Sequence, residues 1–140
     1  GGGAGHLVHG PYLPIEVEGR FCAALSYLTR ASPKTFAGNL EVAVSRVDGN
    51  GPQGDFRTLA RVDLASTNGR MGEAYVEFDT HGLRGMLLEF RVYVEAGVVM
   101  NAYHIRTWKG GPGASRWPTL HALEGSSAQR LTPHGALHAL

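Results

Sequence analysis

Hydrophobic and polar residues alternate with a period of two over most of this chain. Between Ile15 and Arg30, Phe21, Ala23, Leu25 and Tyr27 share one parity, against Arg20, Cys22, Ala24 and Ser26. Leu40, Val42 and Val44 face Glu41 and Ser45, and Phe56, Thr58, Ala60, Val62 and Leu64 face Arg57, Leu59, Arg61 and Asp63. Ala74–Asp79 and Leu88–Glu95 repeat the pattern. This is the signature of antiparallel strands with one face buried and the other in water. Asp48–Asp55 reads as a turn-rich loop, and Asn68-Gly69 and Glu95-Ala96-Gly97 as tight turns, because Asn and Gly tolerate positive φ. Val98–Trp108 is then expected to return as a hairpin partner of Leu87–Glu95. Short helical turns are expected only at Thr80–Gly85 and Thr119–Glu124. About seven or eight short strands with turns at this spacing predict an all-β fold, a single antiparallel two-sheet sandwich of jelly-roll type.

Composition narrows the function more than it defines it. The chain has 140 residues, which suits one domain. Thirteen Lys and Arg against 12 Asp and Glu leave a net charge of +1, too little for the basic field that non-specific nucleic-acid binding needs, so no nucleic-acid partner is expected. No stretch approaches the ~20 apolar residues of a membrane helix. The single cysteine, Cys22, excludes an internal disulfide and reads as a packed strand residue. Residues 1–5 read as a flexible glycine-rich lead, 6–109 as the sandwich, and 110–140 as a Gly/Pro/Ser-rich tail, anchored at most by Trp117 and Leu120.

No catalytic motif emerges, and the expectation is a protein that is not an enzyme. His6 and His9 point to opposite sides of an extended chain. His134 and His138 lie in the tail, while His81, His104 and His121 converge only if the fold brings them together, so no metal site or cofactor is expected. Asp48, Asn50 and Asp55 have the flavour of a calcium loop but miss the EF-hand spacing, and read first as a turn. The glycine runs match no phosphate-binding loop. A carboxylate pair such as Glu77 and Glu89 would need a cleft to act on a glycoside. Of Trp108 and Trp117, at least one is expected to be buried at an end of the sandwich.

The segment His9-Gly10-Pro11-Tyr12-Leu13-Pro14-Ile15-Glu16-Val17-Glu18-Gly19-Arg20-Phe21 resembles the opening of a bacterial β-sandwich module associated with glycosyltransferase-type and polysaccharide-related proteins. Leu88-Glu89-Phe90-Arg91-Val92, followed by a glycine-containing turn, fits the same pattern, so the resemblance spans roughly His6 to Trp108. It implies a carbohydrate-binding, lectin-like jelly roll with no catalytic residues. A cytoplasmic location would follow only if the module belongs to a glycosyltransferase chain.

The residues fit a carbohydrate partner in their own right. A sugar is held by an aromatic plate against its C–H face and by planar or charged groups on its hydroxyls. Tyr75, Glu77 and Asp79 share one outward parity, and Glu89, Arg91, Tyr93 and Glu95 another, with Tyr103 and Trp108 on the following strand. Tyr75, Glu77, Glu89, Arg91, Tyr93, Tyr103 and Trp108 are the candidate ligand-binding residues. The same alternation of charge and tyrosine also serves cross-strand pairing on a solvated sheet. A second class is therefore kept, an assembly sandwich forming a homo-oligomer or joining another chain through Leu7–Leu13 or the segment 87–108.

Overall fold

The computed structural model describes residues 5–9, 13–48, 51–52, 56–111 and 119–122, and every regular element among them is a β-strand. In chain order they are β1 (Gly5–His9), β2 (Leu13–Pro14), β3 (Arg20–Thr29), β4 (Phe36–Ser45), β5 (Val47–Asp48), β6 (Gly51–Pro52), β7 (Arg57–Ala65), β8 (Gly72–Asp79), β9 (Leu87–Val94), β10 (Met100–Lys109) and β11 (Thr119–Ala122). One antiparallel sheet runs β1–β9–β4–β7, with β2 also on β9; the other runs β11–β10–β3–β8, and β5 pairs with β6. The fold is an all-β, two-sheet sandwich.

The alternation read from the sequence builds its core. Phe21, Leu25 and Tyr27 of β3 and Val76 and Phe78 of β8 face Leu40, Val42 and Val44 of β4 and Leu88, Phe90 and Val92 of β9. Phe78 ties the layers together, stacked on Phe21 at 5.9 Å and edge-on to Phe90 at 6.0 Å between ring centroids. Burying each such side chain stabilises the fold by roughly 1.5–3 kcal/mol.

Several expectations fail, each for a tertiary reason. The turn after β9 forms, with Val98 N–H donating to Glu95 O at 3.1 Å and Gly97 at φ 80°, but β9 and β10 make no hairpin. Strand β9 already has β4 on one side and β1 and β2 on the other, so the turn carries the chain across to the second sheet, where β10 lies between β3 and β11. Both strands are therefore paired on two sides for part of their length, β10 by β3 throughout and by β11 over His104–Thr107. Thr80–Gly85 holds turns instead of a helical turn: Gly82 and Gly85 have φ of 77° and 87°, and Thr80 is buried with its hydroxyl bonded to Val17 O and Gly19 N–H, each at 3.0 Å. Thr119–Ala122 is a strand on β10, not a helical turn. The calcium reading of Asp48, Asn50 and Asp55 lies outside the described residues, apart from the backbone of β5.

Strand β7 also departs from its simple alternation. A bulge at Leu59 shifts its register on β4, with Val42 opposite Ala60 but Ala43 opposite Thr58. One extra residue reverses the facing of everything beyond it. Thr58, expected in the core, instead bonds to Glu41 on the outer face.

Candidate functional site

The seven candidate residues do not share a face. Tyr75 and Glu77 on β8 and Tyr103 and Trp108 on β10 belong to one sheet, while Glu89, Arg91 and Tyr93 on β9 belong to the other. Outward side chains of opposing sheets point away from each other, so the groups form two separate surfaces. Tyr103 sits at a bulge between Ala102 and His104.

On the β8–β3–β10 surface, small residues of β3 form a central stripe. Cys22 pairs with Glu77 and Trp108, Ala24 with Tyr75 and Arg106, and Ser26 with Glu73 and His104. Trp108 lies over Cys22 and Ala24 and is 1% exposed. Its indole N–H donates to Gly111 O at 2.7 Å, and Gly110 N–H donates to Arg20 O, so the chain leaving β10 folds back over this surface. Arg106 reaches across the stripe to Glu73 at 2.5 Å, and Arg20 to Glu77 at 3.4 Å. Burial pushes the Cys22 thiol up in pKa, as does the neighbouring Glu77. His104, 3.2 Å from Ser26 Oγ, is pushed down by burial and by Arg106, against the opposing pull of Glu73. Around Trp108 the chain has closed this surface on itself, while Tyr75, Glu77 and Arg20 remain in solvent.

The β9–β4–β7 surface is organised differently. Arg91, Glu41 and Arg61 lie side by side across the three strands, followed toward one end by Tyr93, Asn39 and Asp63. Glu41 is only 5% exposed, although it points away from the core. It accepts from Arg61 Nη2 and Thr58 Oγ1, each at 2.9 Å, and lies 3.7 Å from Arg91 Nη1. Burial alone would raise its pKa, but those hydrogen bonds and the two guanidinium charges outweigh burial and hold it below the ordinary carboxylate value. Arg91 also donates to buried Glu89, and its guanidinium stacks on Phe56 at 4.2 Å. Glu89 and Arg91 are thus held in a fixed network and do not stand ready for a ligand.

Beyond that row the surface opens. A cavity of about 280 Å³ is lined by Phe36, Asn39, Arg61, Tyr93 and Glu95, over the backbone of Gly38 and Val94. Its shape depends on Gly38, where a Cβ would lie 1.9 Å from Tyr93 O, so only glycine lets β4 approach β9 here. Next to it a bulge at Ala37 interrupts β4, leaving Phe36 40% exposed at the rim. Arg61 is fixed through one nitrogen by Glu41, while more than half of its side chain remains in solvent. Asn39 Oδ1 is buried with no hydrogen-bond partner among the described residues. Lys34 is tied to Ala96 O at the far edge.

Of this cavity, Tyr93 is a candidate site residue and Glu95 shares its outward parity in the sequence. Phe36 falls at a strand end, where alternation says little, and Arg61 and Asn39 look like ordinary outward residues until the sheets are assembled. Among the described residues no group of three His, Cys, Asp or Glu is placed to hold a metal ion, and no helix is long and apolar enough to cross a membrane. No protein-family model, curated protein or solved structure matches the chain.

Proposed function

We propose that this chain is a non-catalytic glycan-binding module whose site is the cavity bounded by Phe36, Asn39, Arg61, Tyr93 and Glu95. The observation that carries this reading is the pairing of two aromatic side chains, one well exposed, with an amide, a guanidinium and a carboxylate around one small recess. Aromatic rings take the C–H face of a sugar, and planar polar groups take its hydroxyl pairs. The jelly-roll part of the reading has support in the connections β2–β3, β3–β4, β7–β8, β8–β9 and β9–β10, all of which pass from one sheet to the other. Binding on so open a site is weak, in the range of tenths of millimolar, about 5 kcal/mol.

A glycan-array screen of the full chain beside its Phe36→Ala variant tests the reading. One sugar class bound by the wild type and lost in the variant supports it. A silent array at high protein concentration rejects it.

The assembly reading is supported by β8, an edge strand paired without a bulge from Gly72 to Asp79, with Tyr75 46% exposed on it. Such an edge can accept another strand. Light scattering tests this, since a stable dimer disrupted by Tyr75→Lys would favour assembly.

A further inference from the structure

Resting on the glycan-binding reading, we infer that the site takes a stretch of oligosaccharide at least two rings long, laid across Phe36 into a second recess beside Lys34. Continuity of the two hollows is the first reason. The cavity of about 280 Å³ at Asn39, Arg61 and Tyr93 adjoins one of about 370 Å³ lined by Pro33, Lys34 and Thr35, and Phe36 and Glu95 line both. Both open to solvent, so a chain can pass from one to the other. Ligand pockets run from roughly 300 to 1,000 Å³; either hollow alone stands at the low end of that range, and the two joined lie well inside it.

Chemistry is the second reason. Phe36, 40% exposed at the boundary, offers its ring to the C–H face of a sugar, and the shared Glu95 carboxylate accepts from hydroxyls in either hollow. Arg61 and Asn39 serve one end. At the other, Lys34 donates to Ala96 O with one of its three N–H groups and keeps two for a ligand, beside the Thr35 hydroxyl. Those donors take a sugar hydroxyl or a sugar carboxylate alike. The floor is also fixed in advance. Ser66 donates from Oγ to Lys34 O at 2.6 Å and from its N–H to Thr35 O at 2.9 Å, and Glu95 N–H donates to Ala37 O at 2.8 Å. A second ring therefore gains contacts at little further ordering cost to the protein.

The test is a titration of the ¹⁵N-labelled full chain, followed by NMR, with one- to four-unit series of β-1,4-glucose, β-1,4-N-acetylglucosamine and α-1,4-galacturonate. Any other class that the glycan array identifies is added in the same lengths. In at least one series the disaccharide is expected to bind at least about tenfold more tightly than the single sugar. It should shift amides on both sides of Phe36, those of Asn39 and Tyr93 and those of Lys34 and Thr35. Lys34→Ala, and Thr35→Trp as a plug for the second recess, should each bring the disaccharide to within about threefold of the single sugar. The single sugar's own affinity and the melting temperature should stay unchanged. A disaccharide no more than about threefold tighter than the single sugar in the wild type overturns the inference. So does a gain that survives both variants with shifts confined to Asn39 and Tyr93. Both outcomes leave the glycan reading standing, whereas a silent array with no shift in any series overturns the two together.

Discussion

Tyr75 and Trp108 meet edge to face on the outside of the second sheet, their ring centroids 6.3 Å apart and their planes at 74°. The contact places Trp108 over Cys22 and Ala24 with Arg106 above it, and its indole N–H is held by Gly111. A tryptophan that reads as a stacking platform is thereby a piece of a small second core. Trp108→Ala should cost about 3–5 kcal/mol of stability, as large aromatic deletions do, and thermal or urea unfolding measures it. Tyr75→Ala, on a residue nearly half in solvent, should cost about 1 kcal/mol or less.

Arg91 is expected to behave as a structural residue. It bridges Glu41 and Glu89, two carboxylates almost without solvent contact; removing it takes the guanidinium from buried Glu89, while Glu41 keeps Arg61 and Thr58. Arg91→Ala should destabilise the fold by about 3 kcal/mol, read as a fall in the urea midpoint. Phe36→Ala, at a site 40% exposed, should leave that midpoint within about 1 kcal/mol while removing the glycan binding proposed for this cavity. Equal destabilisation by the two variants would contradict this division of roles.

Acid stability should carry two signatures. The folded state holds His104 below its ordinary value of 6.5, so the unfolded chain takes up this proton first. The contribution is complete above pH 6.5 and is lost as pH falls through the folded value; His104→Gln should flatten the melting temperature between pH 7 and 5. Glu41 is also held below its ordinary 4.5. Its contribution is present above pH 4.5 and disappears further into acid, a loss that Glu41→Gln should remove from the profile.

Gly38 sets the spacing of β4 and β9 under the cavity. The Cβ of Gly38→Ala would fall 1.9 Å from Tyr93 O, a backbone atom that moves only with its strand. The expected cost is about 3 kcal/mol or more, with the amides of Asn39 and Tyr93 displaced in the NMR spectrum. Gly69→Ala meets no atom within 4 Å, and its only cost is the positive φ, about 1 kcal/mol.

The sequence by itself determined which residues of most strands turn inward and where the chain reverses. The period of two in Phe21–Tyr27, Ala74–Asp79 and Leu88–Val94 is a property of a single strand, and the turns at Asn68-Gly69 and Glu95–Val98 are properties of a few neighbouring residues. Neither says which strand lies beside which. That choice belongs to the tertiary structure, because pairing is made between residues far apart in the chain and a tight turn can join two sheets as readily as two neighbours. It separated Tyr75 from Tyr93 by placing β8 and β9 on opposite layers. It brought Arg61 and Arg91 to Glu41 from two different strands, and a one-residue bulge at Leu59 put Thr58 beside them. The cavity formed where the bulge at Ala37 and the close approach at Gly38 interrupt the regular ladder. An extra residue in one strand leaves no mark on the hydrophobic pattern until its partner is beside it, and so Phe36, Asn39 and Glu95 became a site only in the assembled sandwich.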